Sequence, residues 1–299
     1  MGALKRVTNK KDELEEKTCK NGQIKVGYQG VEGSFSEQAM RKYFEEDDIS
    51  SSSFETFEDV FQALKDREIS YGILPIENSS TGGIGEVYSL LRKYDFYIVG
   101  EMCIKITQNL LGIKGSKLED IEEVYSHPQG FEQSVEFLKD YPHWKLIPYK
   151  NTAISAKYIR EENSKKKAAI ASKRTAELYH LDIIQQNINF NQDNYTRFII
   201  VSADFDVTTD ADKISMVISL PHKPGSLYQV LRYFAENHLN MLKIESRPIL
   251  DRPWEYFFYI DFEGNLQNPH LKKAIDQIEK KSNFFKLLGN YRKGRNINQ

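Results

Sequence analysis

The 299-residue sequence has only two cysteines, no histidine cluster and no long apolar run. Neither Cys19 nor Cys103 stands in the spacing of a metal site or a redox pair, so we expect free thiols in a reducing cytosol. The six histidines are scattered along the chain, which argues against a zinc site. We therefore predict a cytoplasmic protein without a metal centre.

The apolar runs, such as 96–100 and 257–260, are far shorter than the roughly 20 residues that cross a bilayer, so no membrane span is expected. A formal net charge of -2 gives no bulk attraction for nucleic acid or an anionic membrane surface. An acidic ligand must therefore be attracted by local groups. Residues 1–22 are rich in Lys and Glu, which predicts a solvated tail rather than a secretory signal.

From residue 24 to about 204, short apolar runs alternate with helix-like segments, a pattern typical of an α/β domain with a largely parallel sheet. The predicted strands are 24–28, 71–76, 97–106, 123–126, 144–148, 168–171 and 196–202, and the predicted helices are 36–44, 86–94, 129–141, 152–161 and 173–181.

A polar, acidic segment at 205–212 is the predicted linker to a C-terminal module of residues 213–299. The module has the order βαββαβ, with segments at 214–220, 226–238, 241–249, 254–262, 269–281 and 284–291. Leu227, Val230 and Phe234 fall on one helical face that would cover an antiparallel sheet. This pattern predicts a four-stranded ferredoxin-like fold.

Small polar residues and glycines stand where predicted strands end and helices begin. In parallel sheets these ends converge on a crevice, and helix N-termini there favour carboxylates or phosphates. The sequence therefore predicts a small anionic ligand, although any one of these residues alone also suits an ordinary helix cap or turn. They are Gly30, Gly33, Ser34, Ser36, Glu77, Asn78, Ser79, Gly82, Gly83, Ser126, His127, Gln129 and Thr152.

Segment 194–198 brings a Thr196 hydroxyl and an Arg197 guanidinium into a strand that then becomes strongly apolar. A half-buried arginine needs an anion, which is either a ligand carboxylate or an internal carboxylate of the protein. His127 has two interpretations in the same way, as an acid or base and as a helix cap or packed side chain.

Five motifs together resemble the prephenate dehydratase family. Residues 23 to 292 carry the resemblance, which includes an ACT-type regulatory module. Val31, Ser34, Asn151 and Ser226 differ from the usual residues at their positions. The motifs are Glu32-Gly33-Ser34-Phe35-Ser36, Leu74-Pro75-Ile76-Glu77-Asn78-Ser79, Tyr125-Ser126-His127-Pro128-Gln129, Thr196-Arg197-Phe198 and Glu245-Ser246-Arg247-Pro248.

The resemblance implies a two-lobed catalytic domain of residues 23–204, similar to periplasmic binding proteins, with the active site between the lobes. It also implies conversion of prephenate to phenylpyruvate, carbon dioxide and water, without a cofactor. Because aromatisation drives this reaction, the enzyme needs donors for two carboxylates and for the leaving hydroxyl, in a pocket that orients the ring.

By resemblance, Thr196 and Arg197 are the catalytic residues: Thr196 acts at the leaving hydroxyl, and Arg197 tunes the local charge or anchors a carboxylate. Glu77 is either a structural cap or the ultimate proton source. The residues implied to bind substrate are Ser34, Glu77, Asn78, Ser79, Ser126, His127, Gln129, Thr152 and Phe198.

The resemblance further implies that L-phenylalanine binds between two ACT modules as an allosteric effector, so a homodimer or a homotetramer is expected. Without the resemblance, the effector segments described below are compatible with a turn, an ordinary helix start and a cross-strand ion pair. The implied effector residues are Pro224, Gly225, Ser226, Leu227, Asn240, Glu245, Ser246, Arg247 and Pro248.

Two other functions remain open on the sequence: an arogenate dehydratase and a non-catalytic amino-acid sensor. Retention of Thr196, Arg197 and Phe198 favours an enzyme over a sensor. The residues ahead of Ile24 are too few for a chorismate mutase bundle, so we expect the mutase to be a separate protein.

Overall fold

Three β-sheets organise the chain in this computed structural model, which describes residues 23–45, 47–205 and 207–294. The predicted tail, with Cys19, lies outside the described residues, and Cys103 carries a free thiol. The strands are β1 (Ile24–Gln29), β2 (Ile49–Phe54), β3 (Tyr71–Asn78), β4 (Gly82–Gly83), β5 (Tyr97–Lys105), β6 (Asn109–Gly112), β7 (Glu123–Ser126), β8 (Lys145–Pro148), β9 (Lys167–Ala171), β10 (Asp182–Gln185), β11 (Tyr195–Ser202), β12 (Lys213–Ser219), β13 (Met241–Ile249), β14 (Arg252–Glu263) and β15 (Phe284–Tyr291).

The α-helices lie between these strands and alternate with them in both halves of the chain. None of the helices within the described ranges is long and apolar enough to cross a membrane. The helices are α1 (Phe35–Tyr43), α2 (Phe57–Lys65), α3 (Gly85–Lys93), α4 (Pro128–Gln133), α5 (Val135–Lys139), α6 (Thr152–Glu162), α7 (Lys173–Tyr179), α8 (Ser226–Glu236) and α9 (Pro269–Lys281).

The first two sheets form the two lobes that the sequence predicts. Lobe 1 has the strand order β2-β1-β3-β11-β5, with β4 beside β3, and lobe 2 has the order β10-β6-β9-β7-β8. The chain crosses from lobe 1 to lobe 2 between β5 and β6 and returns between β10 and β11. The predicted α/β fold class with two lobes is confirmed.

The prediction of largely parallel sheets is wrong, because both lobes are mixed. Strand β11 is antiparallel to β3 and β5, and β6 is antiparallel to β9 and β10. Only the strand pairs joined through a helix within one lobe are parallel, namely β1 with β2 and β3, and β7 with β8 and β9. Parallel neighbours need a crossover connection, which is usually a helix. Strands β6 and β11 begin after the chain has passed from one lobe to the other, so no such crossover joins them to their neighbours.

The sequence analysis misses five of these elements, namely β2, β4 and α2 in lobe 1 and β6 and β10 in lobe 2. One predicted helix is interrupted. Strand β2 is a run of serines at the sheet edge, without the apolar alternation that marks a strand. Helix α2 begins at a capping box of Thr56 and Asp59 and buries Val60, Phe61 and Leu64. The helix predicted at 129–141 divides at Ser134 into α4 and α5.

The C-terminal module confirms the ferredoxin-like prediction. Its antiparallel sheet has the order β13-β14-β12-β15, and α8 and α9 pack on one face. The core on that face contains Met216, Ile218, Val230, Ile260 and Ile275. Alternation along β12 and β14 sends the intervening side chains to the other face.

That other face of the module packs directly on lobe 1. Val217 and Leu288 share one apolar cluster with Ile199 and Val201 of β11. Tyr259 adds a hydrogen bond at 2.8 Å from its hydroxyl to the carbonyl oxygen of Tyr88 in α3. The predicted linker at 205–212 lies between β11 and β12, and the exact domain limits stay a prediction.

Gly289 on β15 marks the closest approach between the module and lobe 1. A Cβ built on Gly289 would lie 2.1 Å from the backbone carbonyl oxygen of Ile98. We predict that Gly289→Ala destabilises the chain by about 1–3 kcal/mol or more, since backbone rather than a flexible side chain must move. Thermal unfolding should show a drop of several degrees.

The control for this change is Lys273→Ala on the exposed surface of α9, which should leave the unfolding temperature near that of the wild type. Equal unfolding temperatures for Gly289→Ala and this control would contradict the close docking of the module on lobe 1.

Candidate active site

Asn78 and Thr196 form the centre of the predicted site. They are paired across β3 and β11, and only 4% and 8% of their surfaces are exposed. The side-chain nitrogen Nδ2 of Asn78 donates to Thr196 Oγ1 at 2.9 Å and to Asn194 Oδ1 at 2.7 Å. The two residues that the sequence places in separate motifs are therefore in direct contact.

Hydrogen bonds to the side-chain oxygen of Asn78 fix the orientation of its amide. Oδ1 accepts hydrogen bonds from the backbone N–H groups of Ser80 at 2.9 Å and Thr81 at 3.1 Å. Because an amide nitrogen only donates, Thr196 Oγ1 is the acceptor of the Asn78 bond. Within the described residues nothing accepts the Thr196 proton, so that proton is free to be donated to a ligand.

Ser79 holds the neighbouring backbone together. Its hydroxyl donates to the carbonyl oxygen of Asp193 at 3.2 Å and accepts from the N–H of Tyr195 at 2.9 Å. These bonds tie the end of β3 to the start of β11. Ser79 thus supports the loop that presents Asn78 and Thr196.

Gln129 approaches this loop from lobe 2. Its Nε2 lies 3.4 Å from the Thr81 hydroxyl, a long contact between the lobes. Gln129 stands at the start of α4, whose N-terminus is capped by His127: Nδ1 accepts from the N–H of Gln129 at 3.2 Å. Partial burial, opposed by the charge of Glu132, lowers the pKa of His127, so its imidazole is neutral at pH 7.

Ser126 and Thr152 lie next to Gly130 on α4. The Ser126 hydroxyl is fully buried and donates to the carbonyl oxygen of Ile170 at 3.0 Å. A Cβ on Gly130 would lie 2.4 Å from Ser126 Oγ and 3.6 Å from Thr152 Cγ2. The starts of α4 and α6 are therefore close together, and Asn151 caps α6 by accepting from the N–H of Ile154 at 2.7 Å.

The first motif meets lobe 2 through contacts that the sequence analysis missed. Ser34 caps α1, and next to it the Gly33 carbonyl accepts a hydrogen bond from Thr175 Oγ1 at 3.0 Å. Gln38 Nε2 donates to Ser172 Oγ at 3.1 Å. Ser172 is a recognisable helix cap before α7, but its partner in lobe 1 has no local signal in the sequence.

Arg197 and Glu77 face away from the Asn78–Thr196 pair. Successive residues of a strand point to opposite faces, so both charged side chains lie on the face that receives the C-terminal module. Arg197 Nη2 contacts Glu77 Oε2 at 2.9 Å, and its Nη1 contacts Glu101 Oε2 at 3.1 Å and Asp261 Oδ2 at 2.8 Å. The sequence left two kinds of partner possible for Arg197, a ligand carboxylate and an internal carboxylate. In the structure Arg197 is paired with internal carboxylates.

Glu77 is also paired with Lys243 of the module, at 2.8 Å between Oε1 and Nζ. Burial alone would raise the pKa of the Glu77 carboxyl, but Lys243 and Arg197 outweigh this effect and hold the pKa below its usual value. Glu77 is therefore ionised at neutral pH, which favours a structural role over that of a stored proton.

Phe198 is 2% exposed and packs in the core of lobe 1 with Tyr28, Ile104 and Ile200. It shares the strand face of Thr196, two residues away along β11. Its contacts within the described chain are those of a core residue beneath the site.

The predicted effector residues divide between two faces of the module. Gly225 is the N-cap of α8 with a φ of 82°, and a Cβ there would meet nothing within 4 Å. Ser226 Oγ is buried and lacks a hydrogen-bond partner among the described residues. Ser246 and Pro248 are exposed on the helix-covered side of β13, the edge strand.

Glu245 and Arg247 point to the opposite face, towards lobe 1. They form an ion pair at 3.0 Å, and Arg247 Nη2 donates to the carbonyl oxygen of Gly83 at 2.7 Å. Asn240 is occupied by a bond from its Nδ2 to Glu263 Oε2 at 3.0 Å. The segment 245–248 therefore connects the module edge with the β3–β4 hairpin beside Glu77.

Comparison with known proteins identifies both parts of the chain. The prephenate dehydratase family model matches residues 26–206, and the ACT domain model matches residues 214–280. The chain belongs to the prephenate dehydratase family.

Relatives of this chain match it across both domains. A bifunctional chorismate mutase/prephenate dehydratase of Enterobacter agglomerans is 34% identical over 89% of the chain and 70% of that relative. An arogenate dehydratase/prephenate dehydratase of Arabidopsis thaliana is 33% identical over 94% of the chain and 76% of that relative. A solved prephenate dehydratase of Arthrobacter aurescens has a TM-score of 0.81 and 28% identity over 90% of both chains.

His127 allows a direct test of its structural role. Since its neutral imidazole caps α4 through an acceptor nitrogen, we predict that His127→Asn keeps prephenate turnover within about threefold of the wild type, because asparagine is an equally good cap. The pH–rate profile between pH 6 and 8 should also keep its shape. A loss of about 100-fold, or a displaced pH profile, would instead identify His127 as an acid or base.

Proposed function

We propose that Thr196 donates a hydrogen bond to the departing 4-hydroxyl of prephenate while the ring carboxylate leaves as carbon dioxide. The observation that carries this role is the Asn78 bond to Thr196 Oγ1, which leaves the threonine proton for the ligand. The fixed Asn78 amide gives that proton a defined direction before substrate binds.

The reaction needs no base from the protein. The bond between the ring and its carboxylate breaks, and its electron pair becomes part of the aromatic ring as the bond to the 4-hydroxyl breaks. The leaving oxygen gains a proton and departs as water, with phenylpyruvate and carbon dioxide as the other products. A threonine is a weak acid, so it serves as a donor or relay for this proton rather than as its ultimate source.

Lobe 2 contributes groups for the carboxylates of prephenate. The N-termini of α4 and α6 lie together in lobe 2, and helix N-termini favour anions. Gln129 extends from the same region towards the Asn78 loop. Ser34, Ser79 and Ser126 are already bonded within the protein, so we assign them to shaping the cleft.

Arg197, Glu77 and Phe198 receive supporting roles in this proposal. Arg197 is neutralised by carboxylates on the far face of β11, and Phe198 is enclosed in the core. Their task is to hold the strand that presents Thr196 rather than to touch prephenate.

L-phenylalanine is the proposed inhibitor, and it binds at the start of α8. The similar solved prephenate dehydratase of Arthrobacter aurescens is in complex with L-Phe. In this chain the space beside Gly225 at the helix N-terminus is open, and the buried Ser226 hydroxyl has no hydrogen-bond partner among the described residues. The Arg247 bond to Gly83 offers a route from this region to the hairpin beside the catalytic loop.

We further propose a cytoplasmic homodimer or homotetramer. Tyr228 and Leu231 of α8 and Ile244 of β13 are exposed large side chains on the helix-covered side and edge of the ACT sheet. A second ACT domain that covers them would place two phenylalanine sites at one interface.

Arogenate is the second candidate substrate. The Arabidopsis relative carries both activities in its name, and arogenate differs from prephenate only by an amino group in place of the side-chain ketone. The ratio of kcat/KM for the two substrates decides between them, and we expect the ratio to favour prephenate.

The role of Thr196 predicts a sharp difference between two substitutions. Thr196→Ala should lower kcat by about 100-fold or more, the usual cost of losing a donor to a developing anion. Thr196→Ser keeps the hydroxyl and should retain a tenth or more of the activity. Equal rates for the alanine variant and the wild type would remove the assignment.

The effector site predicts that Gly225→Val abolishes phenylalanine inhibition. Valine is strongly disfavoured at a φ of 82°, so the start of α8 must change shape. Rates with added phenylalanine, each relative to the same variant without it, measure the effect, and calorimetry measures binding. Inhibition at the wild-type phenylalanine concentration would show that the effector binds elsewhere.

A further inference from the structure

We propose that two residues of the ACT domain, Asp261 and Lys243, position the dehydratase site by holding Arg197 and Glu77. This inference rests on the proposed function of Thr196 and extends the support of the active site beyond the dehydratase domain.

The supporting residues and the reacting residues stand back to back. Thr196 pairs with Asn78 across β11 and β3, and Arg197 pairs with Glu77 at the next position. The first pair faces the cleft side and the second faces the ACT sheet, because side chains alternate along each strand. A force on Arg197 or Glu77 therefore acts on the same short stretch of backbone that carries Thr196 and Asn78.

Residues of the ACT domain bind the side chains of both Arg197 and Glu77. Asp261 Oδ2 lies 2.8 Å from Arg197 Nη1, and Lys243 Nζ lies 2.8 Å from Glu77 Oε1. Arg197 and Glu77 are also bonded to each other at 2.9 Å. The four side chains thus form a continuous chain of charges from β14 through β11 and β3 to β13.

Asp261 is itself held firmly within the ACT domain. Ser215 donates to its Oδ1 at 2.6 Å, and the Ser215 hydroxyl is 2.7 Å from the Tyr291 hydroxyl. Lys213 lies 3.5 Å from Asp261 Oδ2 and 2.7 Å from Glu101 Oε2. A carboxylate fixed on both oxygens transmits the position of β14 to the arginine that it binds.

The network is balanced, so each member depends on the others. Burial alone would raise the pKa of Asp261, but Arg197 and Lys213 outweigh it and keep the carboxyl ionised at neutral pH. Three carboxylates meet three cations in a largely buried site, and loss of one partner leaves an uncompensated charge. The members are Glu77, Glu101, Asp261, Arg197, Lys213 and Lys243.

The pairing of β11 with β3 is irregular at this point, so side-chain contacts add to the support of Thr196. The register of β11 and β3 slips between Arg197 and Phe198, so that Phe198 stands opposite Pro75. Proline has no N–H to donate to the ladder, and a bulge interrupts the hydrogen bonds beside it. On the β3 side, backbone bonds therefore fix Thr196 less firmly than a regular ladder would, whereas the β5 side is regular from Tyr195 to Ile200.

The surroundings give the charged side chains room to move. The network borders a cavity of about 590 Å³ between the two domains, lined mainly by polar and charged residues. If Asp261 loses its charge, Arg197 keeps only its lobe 1 partners Glu101 and Glu77 and can move towards them. The strand that carries Thr196 can then shift, and a displacement of about 1 Å near a reacting group costs on the order of 100-fold in rate.

The test measures kcat and KM of the purified full chain with prephenate and without phenylalanine. We expect Asp261→Asn and Lys243→Met each to lower kcat by about tenfold or more and to change KM by less than about threefold, because substrate contacts stay intact. Asp261→Glu, which restores the charge, should recover part of the rate. Asp276→Asn on α9, on the far side of the ACT sheet, is the matched control.

A double-mutant cycle separates positioning from general loss of stability. If Asp261 acts through the Arg197 guanidinium, Asp261→Asn should have less than about a threefold effect in an Arg197→Lys background. The same tenfold loss in both backgrounds, or a rate like that of the Asp276→Asn control, would overturn the proposal. Should Asp261→Asn fail to fold, the Lys243→Met and Glu77→Gln variants give the same cycle from the other end of the network.

Failure of this inference is distinguishable from failure of the proposed function. A wild type that turns over prephenate and loses that activity in Thr196→Ala, but not in Asp261→Asn or Lys243→Met, retains the proposed function and overturns the positioning role. A wild type that is inactive on prephenate and arogenate overturns both.

Discussion

Strand β11 is the constraint on which the rest of the structure depends. Its alternating side chains serve two partners at once: Thr196 and Phe198 face the site and the core of lobe 1, whereas Arg197, Ile199 and Val201 face the ACT domain. The chain also returns from lobe 2 at this strand, which completes the sheet of lobe 1 between β3 and β5. One segment therefore presents the proposed catalytic residue and also receives the ACT domain.

The contact between domains has an apolar part and a charged part with different tasks. Val217, Tyr259 and Leu288 bury apolar area against lobe 1. This burial stabilises the contact but does not require a particular geometry, because the hydrophobic effect is non-directional. The ion pairs around Arg197 lie beside Thr196 and require a defined geometry. In our proposal, an ACT domain docked in this way supports the active site as well as binding the effector.

The sequence predicted most elements, and its failures have physical causes. The ferredoxin-like module was complete because each helix and strand has its own apolar period. Strand β2 was missed because a serine run has no such period, and the mixed sheets were missed because strand direction depends on which lobe the chain enters next.

The site followed the same pattern. The Asn78–Thr196 contact joins two motifs that were both identified, so their proximity was expected. That Arg197 and Glu77 face away from these neighbours follows from strand alternation once β3 and β11 are known. Their partners Asp261 and Lys243 are distant in the sequence and carry no local signal, so only the folded chain reveals them.

The most direct test of this account is phenylpyruvate formation by the purified chain supplied with prephenate, with and without phenylalanine. The account predicts product in proportion to enzyme and a lower rate when phenylalanine is added. Folded protein that forms no phenylpyruvate from prephenate would contradict it.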